Sequence, residues 1–159
     1  MKKDARYADG DERGLRLKAM DAEDLRVISS LVQDAVFPAT GMRWNGRTRQ
    51  FALLVNRFRW ESAEDARLRK RPFERVRSII AVEDAGKVSS MGIDRKNRRQ
   101  ILSLLSLEFE AGEDGTGKLA FALSGDCAIA VHVEALEVTL KDVEPSYPSR
   151  SGRAPTHPD

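Results

Sequence analysis

Apolar and polar residues alternate along three consecutive segments in the last third of the chain, and this alternation constrains the fold more than any other feature. Successive side chains of a β-strand point to opposite faces, so residues two apart share a face. The apolar positions that share a face are Ile101, Leu105, Leu107 and Phe109, then Leu119, Phe121 and Leu123, then Ile129, Val131 and Val133. Short glycine-containing segments separate the runs, so the pattern predicts an antiparallel meander over residues 101–133.

The N-terminal third of the chain predicts a strand followed by one helix. Residues 15–20 alternate like a short strand, and Asp21 follows as a residue type that commonly caps a helix. Apolar residues then recur with helical spacing at Leu25, Ile28, Val32 and Ala35. Pro38 disfavours helical geometry at the residue before it, so the helix is expected to extend from Asp21 to about Val36.

An aromatic hairpin is predicted next, with residues 40–45 paired to residues 49–60. Asn45-Gly46 lies between two apolar and aromatic runs, which is a strong short-range hairpin signal. Along the second strand the apolar positions are mainly odd-numbered before Asn56 and even-numbered after it. Two explanations stay open: a bulge near Asn56 resets the register, or the strand is buried on both faces at different points.

The remaining segments complete an α+β fold. Residues 61–71 form a loop or a short exposed helix, residues 76–82 form a strand, and residues 88–91 form a shorter return strand. The period after Val133 fits either a strand or a helix over residues 135–143. We expect a mainly antiparallel sheet of seven or eight strands packed on the N-terminal helix. A bent sheet closed by a C-terminal helix would form a barrel of the pleckstrin-homology type, a likeness of architecture that implies no function.

The chain has the length of one domain, with 159 residues. We assign residues 15–143 to a single α+β domain. Residues 1–14 alternate charged and small residues and are expected to be a flexible tail, because they hold nothing to bury. Residues 144–159 contain four prolines and are expected to form a tail without its own core.

Charge is strongly polarised along the sequence. Residues 42–99 hold 16 Lys and Arg against 7 Asp and Glu, a local net charge of +9. Residues 100–145 hold 2 against 9, a local net charge of −7, whereas the whole chain carries only +2. A charge distribution polarised in this way is informative about binding partners and not about the fold. It predicts either an acidic partner for the basic region or self-association between the basic and acidic regions.

Basic residues and tryptophans of the 42–99 region are the candidate binding residues. They are Arg43, Trp44, Arg57, Arg59, Trp60, Arg69, Lys70, Arg71, Arg95, Lys96, Arg98 and Arg99. The first hypothesis is a non-catalytic interaction module that binds an acidic protein partner through them. The alternative is nucleic-acid binding, with phosphates held by the cations and bases stacked on the aromatic rings. Solvated charges that only maintain solubility would give the same pattern.

No arrangement of residues predicts catalysis. The chain has two histidines, His132 and His157, and strand alternation places His132 on the face opposite to Cys127. That separation disfavours both a nucleophile–base pair and a metal site. Asp94 beside Arg95 is explained more simply by a turn-closing hydrogen bond than by a catalytic acid. A small hydrolase or transferase using Asp94, Arg95 or His132 is the least favoured hypothesis, so the sequence predicts no enzyme, no cofactor and no metal.

The sequence also predicts a compartment. It has no run of about 18 apolar residues that would span a membrane, and residues 1–14 lack the apolar segment of a secretory signal. The single cysteine, Cys127, has no partner for an internal disulfide. We therefore expect a cytoplasmic protein that does not associate with membranes.

Five segments resemble an uncharacterised bacterial family, known chiefly from alphaproteobacteria, to which no function is assigned. They are residues 31–36 (LVQDAV), 51–61 (FALLVNRFRWE), 92–95 (GIDR), 101–105 (ILSLL) and 155–158 (PTHP). The segments occur in the same order as in that family, and the resemblance extends over residues 15–158. It implies a small, cytoplasmic, stand-alone domain and provides no catalytic residues.

Overall fold

Eleven strands and two short helices make up the structure, a computed structural model that describes residues 14–94 and 96–155. The strands are β1 (Arg16–Ala19), β2 (Val36–Pro38), β3 (Met42–Asn45), β4 (Gln50–Phe58), β5 (Glu74–Val82), β6 (Ala85–Met91), β7 (Ile101–Ala111), β8 (Gly117–Leu123), β9 (Cys127–Val133), β10 (Val138–Asp142) and β11 (Tyr147–Pro148). The helices are α1 (Ala22–Leu31) and α2 (Ala63–Leu68), with 3₁₀ turns at Ala39–Gly41 and Trp60–Ser62. The predicted N-terminal tail lies outside the described residues, apart from Gly14.

The strands form one open antiparallel sheet in the order β1–β10–β5–β4–β2–β7–β8–β9–β6, with β3 paired to β4 and β11 paired to β5. β2 pairs with β4 on one side and with β7 on the other. It therefore joins a first half (β1, β10, β5, β4, β3 and β11) to a second half (β7, β8, β9 and β6). The rings of Phe51 on β4 and Phe121 on β8 meet edge to face at 5.7 Å. The core thus lies between the inner faces of the two halves, and α1 packs on β1 and β7 beside it.

α1 begins where the sequence predicts and ends earlier. The side chain of Asp21 caps it by accepting a hydrogen bond from the backbone N–H of Asp24 at 2.8 Å. The helix ends at Leu31 rather than near Val36, because Asp34 adopts a left-handed φ of 66° that turns the chain into β2. The last two apolar positions of the predicted stripe are buried all the same.

β4 is buried along its whole length on one face and only at Phe58 on the other, which settles the question of its register. Its pairing with β5 runs without interruption from Phe51 opposite Val82 to Phe58 opposite Arg75, so no bulge occurs. The odd-numbered residues face the core. Phe58 points the other way and is covered by Trp60, whose ring centroid lies 4.7 Å from its own.

The predicted core face of β7 is wrong at its first two positions. Ile101 and Leu105 are exposed, whereas Leu102 and Leu104 are buried. The register against β8 shifts between Leu104 and Ser106, so a bulge inserts one extra residue and exchanges the faces. Beyond the bulge the predicted face is correct.

The described residues contain no C-terminal helix and no closed barrel, so both of those expectations were wrong. Residues after Leu136 form β10, and the helical alternative fails because it required a buried Val143, which is 40% exposed. The sheet stays open because β1 and β6 are its two edges. β6 pairs with β9 instead of returning along β5.

The number of strands also exceeds the seven or eight expected. β2 and β11 are three and two residues long, and both contain a proline, so neither gives a recognisable alternation. The fold class itself, α+β with a mainly antiparallel sheet and an N-terminal helix, is confirmed.

Candidate interaction surface

The candidate basic residues do not form one patch. Arg43 and Trp44 lie on β3, which pairs with the first residues of β4. A second group, from Arg59 to Arg71, follows the last residue of β4. The strand is nine residues long, which separates its ends by roughly 25 Å. We call Arg43, Trp44, Lys96, Arg98 and Arg99 the hairpin end. We call Arg59, Trp60, Arg69, Lys70 and Arg71 the helix end.

The loop between β6 and β7, which carries Lys96, Arg98 and Arg99, belongs to the hairpin end because β7 begins beside the end of β2. The backbone N–H of Ala39 donates to the carbonyl of Gln100 at 2.8 Å, and Pro38 lies opposite Ile101 in the sheet. The loop before β7 therefore lies beside the segment that connects β2 to β3. Arg95, which belongs to this loop, is outside the described residues.

Arg57 is fully buried and lies on no surface. It donates two hydrogen bonds to Glu61, at 2.8 and 2.7 Å, and it reaches Asp142 at 3.0 Å and the hydroxyl of Ser78 at 3.1 Å. Asp142 also accepts hydrogen bonds from Ser78 at 2.7 Å and from the backbone of Leu15 at 2.8 Å. This network ties β4, β5, β10 and the start of β1 together, so the role of Arg57 here is structural.

The network also sets the pKa of Glu61. Burial by itself raises this pKa, but the hydrogen bonds and charge of Arg57 outweigh burial and hold it below its ordinary value. In the same way burial lowers the pKa of Arg57, and the hydrogen bonds and charges of Glu61 and Asp142 raise it above its ordinary value. The ion pair is therefore charged near neutral pH.

Acid is expected to remove the stability that Glu61 provides. The folded-state pKa of Glu61 is depressed, so its contribution is fully present above the unfolded-state pKa and is lost as the pH falls through the folded-state pKa. Urea denaturation between pH 7 and pH 3 should show Glu61→Gln less stable than wild type at pH 7, with a gap that narrows towards pH 3. A gap that stays constant over this range would contradict the assignment.

Three of the four cations of the helix end, Arg59, Arg69 and Arg71, are paired within the chain. Asp65 on α2 forms ion pairs with Arg69 at 2.8 Å and with Arg71 at 3.7 Å. Arg59 forms an ion pair with Glu74. These carboxylates neutralise part of the positive charge of the helix end, although the pairs on α2 are exposed and individually weak.

The two tryptophans have different environments. The indole N–H of Trp60 donates to the carbonyl of Gln33 at 2.9 Å, and its ring packs on Phe58. Trp44 is 46% exposed, and its indole N–H approaches the carbonyl of Ala85 at 3.3 Å. Only Trp44 therefore presents a substantial aromatic surface to a partner.

The cations of the hairpin end have no carboxylate partner. Among residues 14–94 and 96–155, no carboxylate lies within 4.0 Å of any of these four charged groups. The carboxylate of Asp94 instead accepts a hydrogen bond from the backbone of Lys96 at 3.0 Å, the geometry of a turn. The hairpin end thus presents positive charge that no carboxylate of the described residues pairs with.

The outer face of the first half of the sheet is open next to these cations. Ile79 lies opposite Leu54 on this face, and Ile101 continues the apolar row beyond Pro38. A groove of about 250 Å³ opens between β2 and β4. It is lined by Val36, Phe37, Pro38, Gly41, Leu54, Val55, Asn56, Arg77 and Ile101. Sites for drug-sized ligands occupy about 300–1,000 Å³, so this groove has the size of a side chain rather than of a cofactor.

Sequence reasoning missed the apolar part of this surface. Ile101 was assigned to the core, and it is exposed only because of the bulge in β7. Leu54 did carry a signal, since its even number placed it opposite the core residues of β4. Nothing in the sequence indicated that β2 would end beside it and leave a groove.

Cys127 and His132 lie apart in the described residues, and these residues contain no metal-binding cluster. Cys127 is buried and its thiol donates to the carbonyl of Gly92 at 3.3 Å, whereas His132 is exposed between Lys87 and Lys118 on neighbouring strands. No group of three or more His, Cys, Asp or Glu side chains in this part of the chain is arranged to hold a metal ion. His157 lies outside it.

No helix within residues 14–94 and 96–155 is long and apolar enough to cross a lipid bilayer.

The fold and the surface define a small α+β protein with an open antiparallel sheet and an apolar groove bordered by cations. The chain belongs to the family described as "Protein of unknown function (DUF2948)", which matches residues 15–157. The family resemblance of the sequence is thereby confirmed. No curated protein and no solved structure matched the chain.

Proposed function

We propose that the protein is a non-catalytic interaction module that binds an acidic partner protein. The binding surface is the outer face of the first half of the sheet together with the hairpin-end cations. The observation that supports this most strongly is the position of exposed Leu54 and Ile101 beside cations that have no carboxylate partner in the described chain. Covering apolar surface stabilises a complex by about 25 cal/mol per Å². The cations would supply steering and specificity for an acidic partner.

A protein partner fits this surface better than a nucleic acid does. Single-stranded nucleic acids are held by aromatic platforms on which bases stack. The groove is walled mainly by aliphatic side chains, and the one aromatic residue that lines it, Phe37, is buried. Of the two tryptophans, Trp60 is partly buried with its ring packed on Phe58, and Trp44 is the more exposed one.

Charge reversal at the hairpin end is expected to release the partner. The variant Arg43→Glu, Arg98→Glu, Arg99→Glu has its matched control in Arg69→Glu, Lys70→Glu, Arg71→Glu, which changes charge equally at the helix end. Tagged proteins are used to capture partners from nuclease-treated native lysate, with quantitative mass spectrometry. Proteins captured by wild type should fall roughly tenfold or more with the hairpin-end variant, which corresponds to about 1.4 kcal/mol, and stay near wild type with the control.

Contact at the groove is tested with a photo-crosslinking residue in place of Ile101, compared with the same residue in place of Met91 on β6. The captured protein should crosslink at position 101 and not at position 91. Equal capture by both charge variants would contradict the proposed surface. Loss of all capture after nuclease treatment would favour nucleic-acid binding instead.

A further inference from the structure

We infer that the groove between β2 and β4 is an anchor pocket for one large apolar side chain, carried by an extended acidic segment of the partner. This inference rests on the proposed function and adds the chemistry of the segment that the surface recognises. The segment has the pattern acidic–x–apolar–x–acidic.

The pocket is a gap in the strand pairing along β4. β2 pairs with β4 only through Val36 and Asn56, and pairing with β3 does not extend beyond Leu53. The turn Ala39–Gly41 connects the two short strands and leaves the side chain of Leu54 uncovered between them. The opening therefore results from the path of the backbone and does not require a side chain to move.

Close approach of the turn leaves little room for a side chain at Gly41, which forms one wall of the pocket. A Cβ atom on Gly41 would lie 3.0 Å from the carbonyl oxygen of Leu54. Pro38 stiffens the same connection by fixing its φ angle. A preformed pocket loses little conformational entropy on binding, which favours capture of a single side chain.

The polar end of the pocket is already satisfied. The amide oxygen of Asn56 accepts a hydrogen bond from Arg75 at 2.8 Å, and its amide N–H donates to the hydroxyl of Tyr147. An apolar side chain can therefore enter without leaving the Asn56 amide buried and lacking a hydrogen-bond partner, which would cost free energy. The other walls are mainly aliphatic, so the pocket selects for an apolar occupant.

Cations lie on both sides of the pocket along β4. Arg43 lies opposite Ala52 and Arg77 opposite Asn56, so their rows are four residues apart, about 13 Å. In an extended segment, the residues two before and two after an anchor share its face and are also about 13 Å apart. Arg77 already forms an exposed ion pair with Glu144 at 3.4 Å, so a carboxylate fits at this position and the second glutamate of the segment binds there in place of Glu144.

The test is a titration of the ¹⁵N-labelled full chain with capped synthetic heptapeptides, followed by amide chemical shifts. Each peptide has glutamate two residues before and two residues after its centre, serine elsewhere, and leucine or alanine at the centre. A third peptide has a central leucine and glutamine in place of both glutamates. The leucine peptide with glutamates should bind roughly tenfold tighter than the alanine peptide. It should also bind more tightly than the glutamine peptide, with the largest shifts around Gly41 and Leu54.

The variant Leu54→Ser, Ile101→Ser is expected to reduce the preference for leucine over alanine to less than about twofold. Its matched control is Met91→Ser, since Met91 is 69% exposed and Ile101 is 64% exposed. The amide spectrum of each variant reports whether it is folded. Retention of the preference in the double variant would overturn the pocket assignment.

The experiment also separates this inference from the proposed function. If leucine and alanine peptides bind wild type equally while the glutamine peptide binds more weakly, the anchor pocket is wrong and the acidic-partner surface stands. If no peptide shifts any amide at millimolar concentration, both are wrong.

Discussion

Replacing Arg57 by methionine is expected to lower the free energy of unfolding by about 3–5 kcal/mol. The change keeps most of the side-chain volume and removes the charge. It leaves the carboxylates of Glu61 and Asp142, whose side chains are only 7% and 5% exposed, without their cation. Glu61 keeps the weaker contact with Arg59 at 3.5 Å, and Asp142 keeps its hydrogen bonds from Ser78 and Leu15, but most of the desolvation cost of the two carboxylates is no longer offset. Urea denaturation at pH 7, followed by circular dichroism, measures the loss.

The matched control is Arg69→Met, which removes an exposed arginine that is also paired with a carboxylate. Arg69→Met should lower the free energy of unfolding by no more than about 1 kcal/mol, because exposed ion pairs contribute little to stability. If Arg57→Met does not fold, Arg57→Lys provides the measurement. A lysine keeps the charge but lacks the two-pronged geometry that binds Glu61, so it should still be clearly less stable than wild type. A cost below about 1 kcal/mol for both Arg57 variants would contradict the structural role of the network.

The burial of Arg57 shows what the sequence alone can and cannot predict. Its odd number gives it the same face as Leu53 and Val55, so alternation did place it towards the core. It was nevertheless counted among the candidate binding residues because of its positive charge, and arginine is rarely buried unless it is paired. Its partners Ser78 and Asp142 lie on other strands, 21 and 85 residues away. Local patterns do not reveal pairs at that separation.

The meander over residues 101–133 was predictable for the opposite reason. Its three strands are consecutive, and short turns connect them, so neighbours in sequence are neighbours in the sheet. β6 follows β5 just as closely and yet pairs with β9, because the chain crosses to the second half of the sheet there. Adjacency along the chain is a good guide for β3 to β5 and for the meander β7 to β9, and a poor one for β1, β6 and β10, whose partners are distant in sequence.

The candidate surface was only partly predictable. A local net charge counts cations but does not show which of them have partners. Asp65 lies inside the basic region and pairs with Arg69 and Arg71 at the helix end, whereas the hairpin-end cations remain unpaired in the described chain. The apolar part of the surface depends on a bulge and on a strand of three residues, and neither produces a periodic signal.

That three-residue strand carries the second large effect: Phe37→Ala is expected to lower the free energy of unfolding by about 3–5 kcal/mol. Phe37 is 1% exposed and lies opposite Leu102. In the described chain, β2 is the only strand that joins the two halves of the sheet. Removing the ring therefore leaves a cavity in the core and loosens the connection between the halves. It also loosens one wall of the groove, so stability and the proposed binding surface depend on the same strand.

Two probes distinguish a loosened connection from a simple loss of core volume. Trp44 lies on β3 and Trp60 in the turn that follows β4, so their fluorescence reports mainly on the first half of the sheet, whereas circular dichroism reports on all strands. The two unfolding midpoints should coincide in wild type and separate in Phe37→Ala. Phe109→Ala is the matched control, because Phe109 is only partly buried and lies beyond the bulge, away from β2. Phe109→Ala should lower the free energy of unfolding by less than Phe37→Ala does, and its fluorescence and circular dichroism midpoints should still coincide. Coincident midpoints in both variants, with equal losses of stability, would show that β2 has no special role in joining the halves.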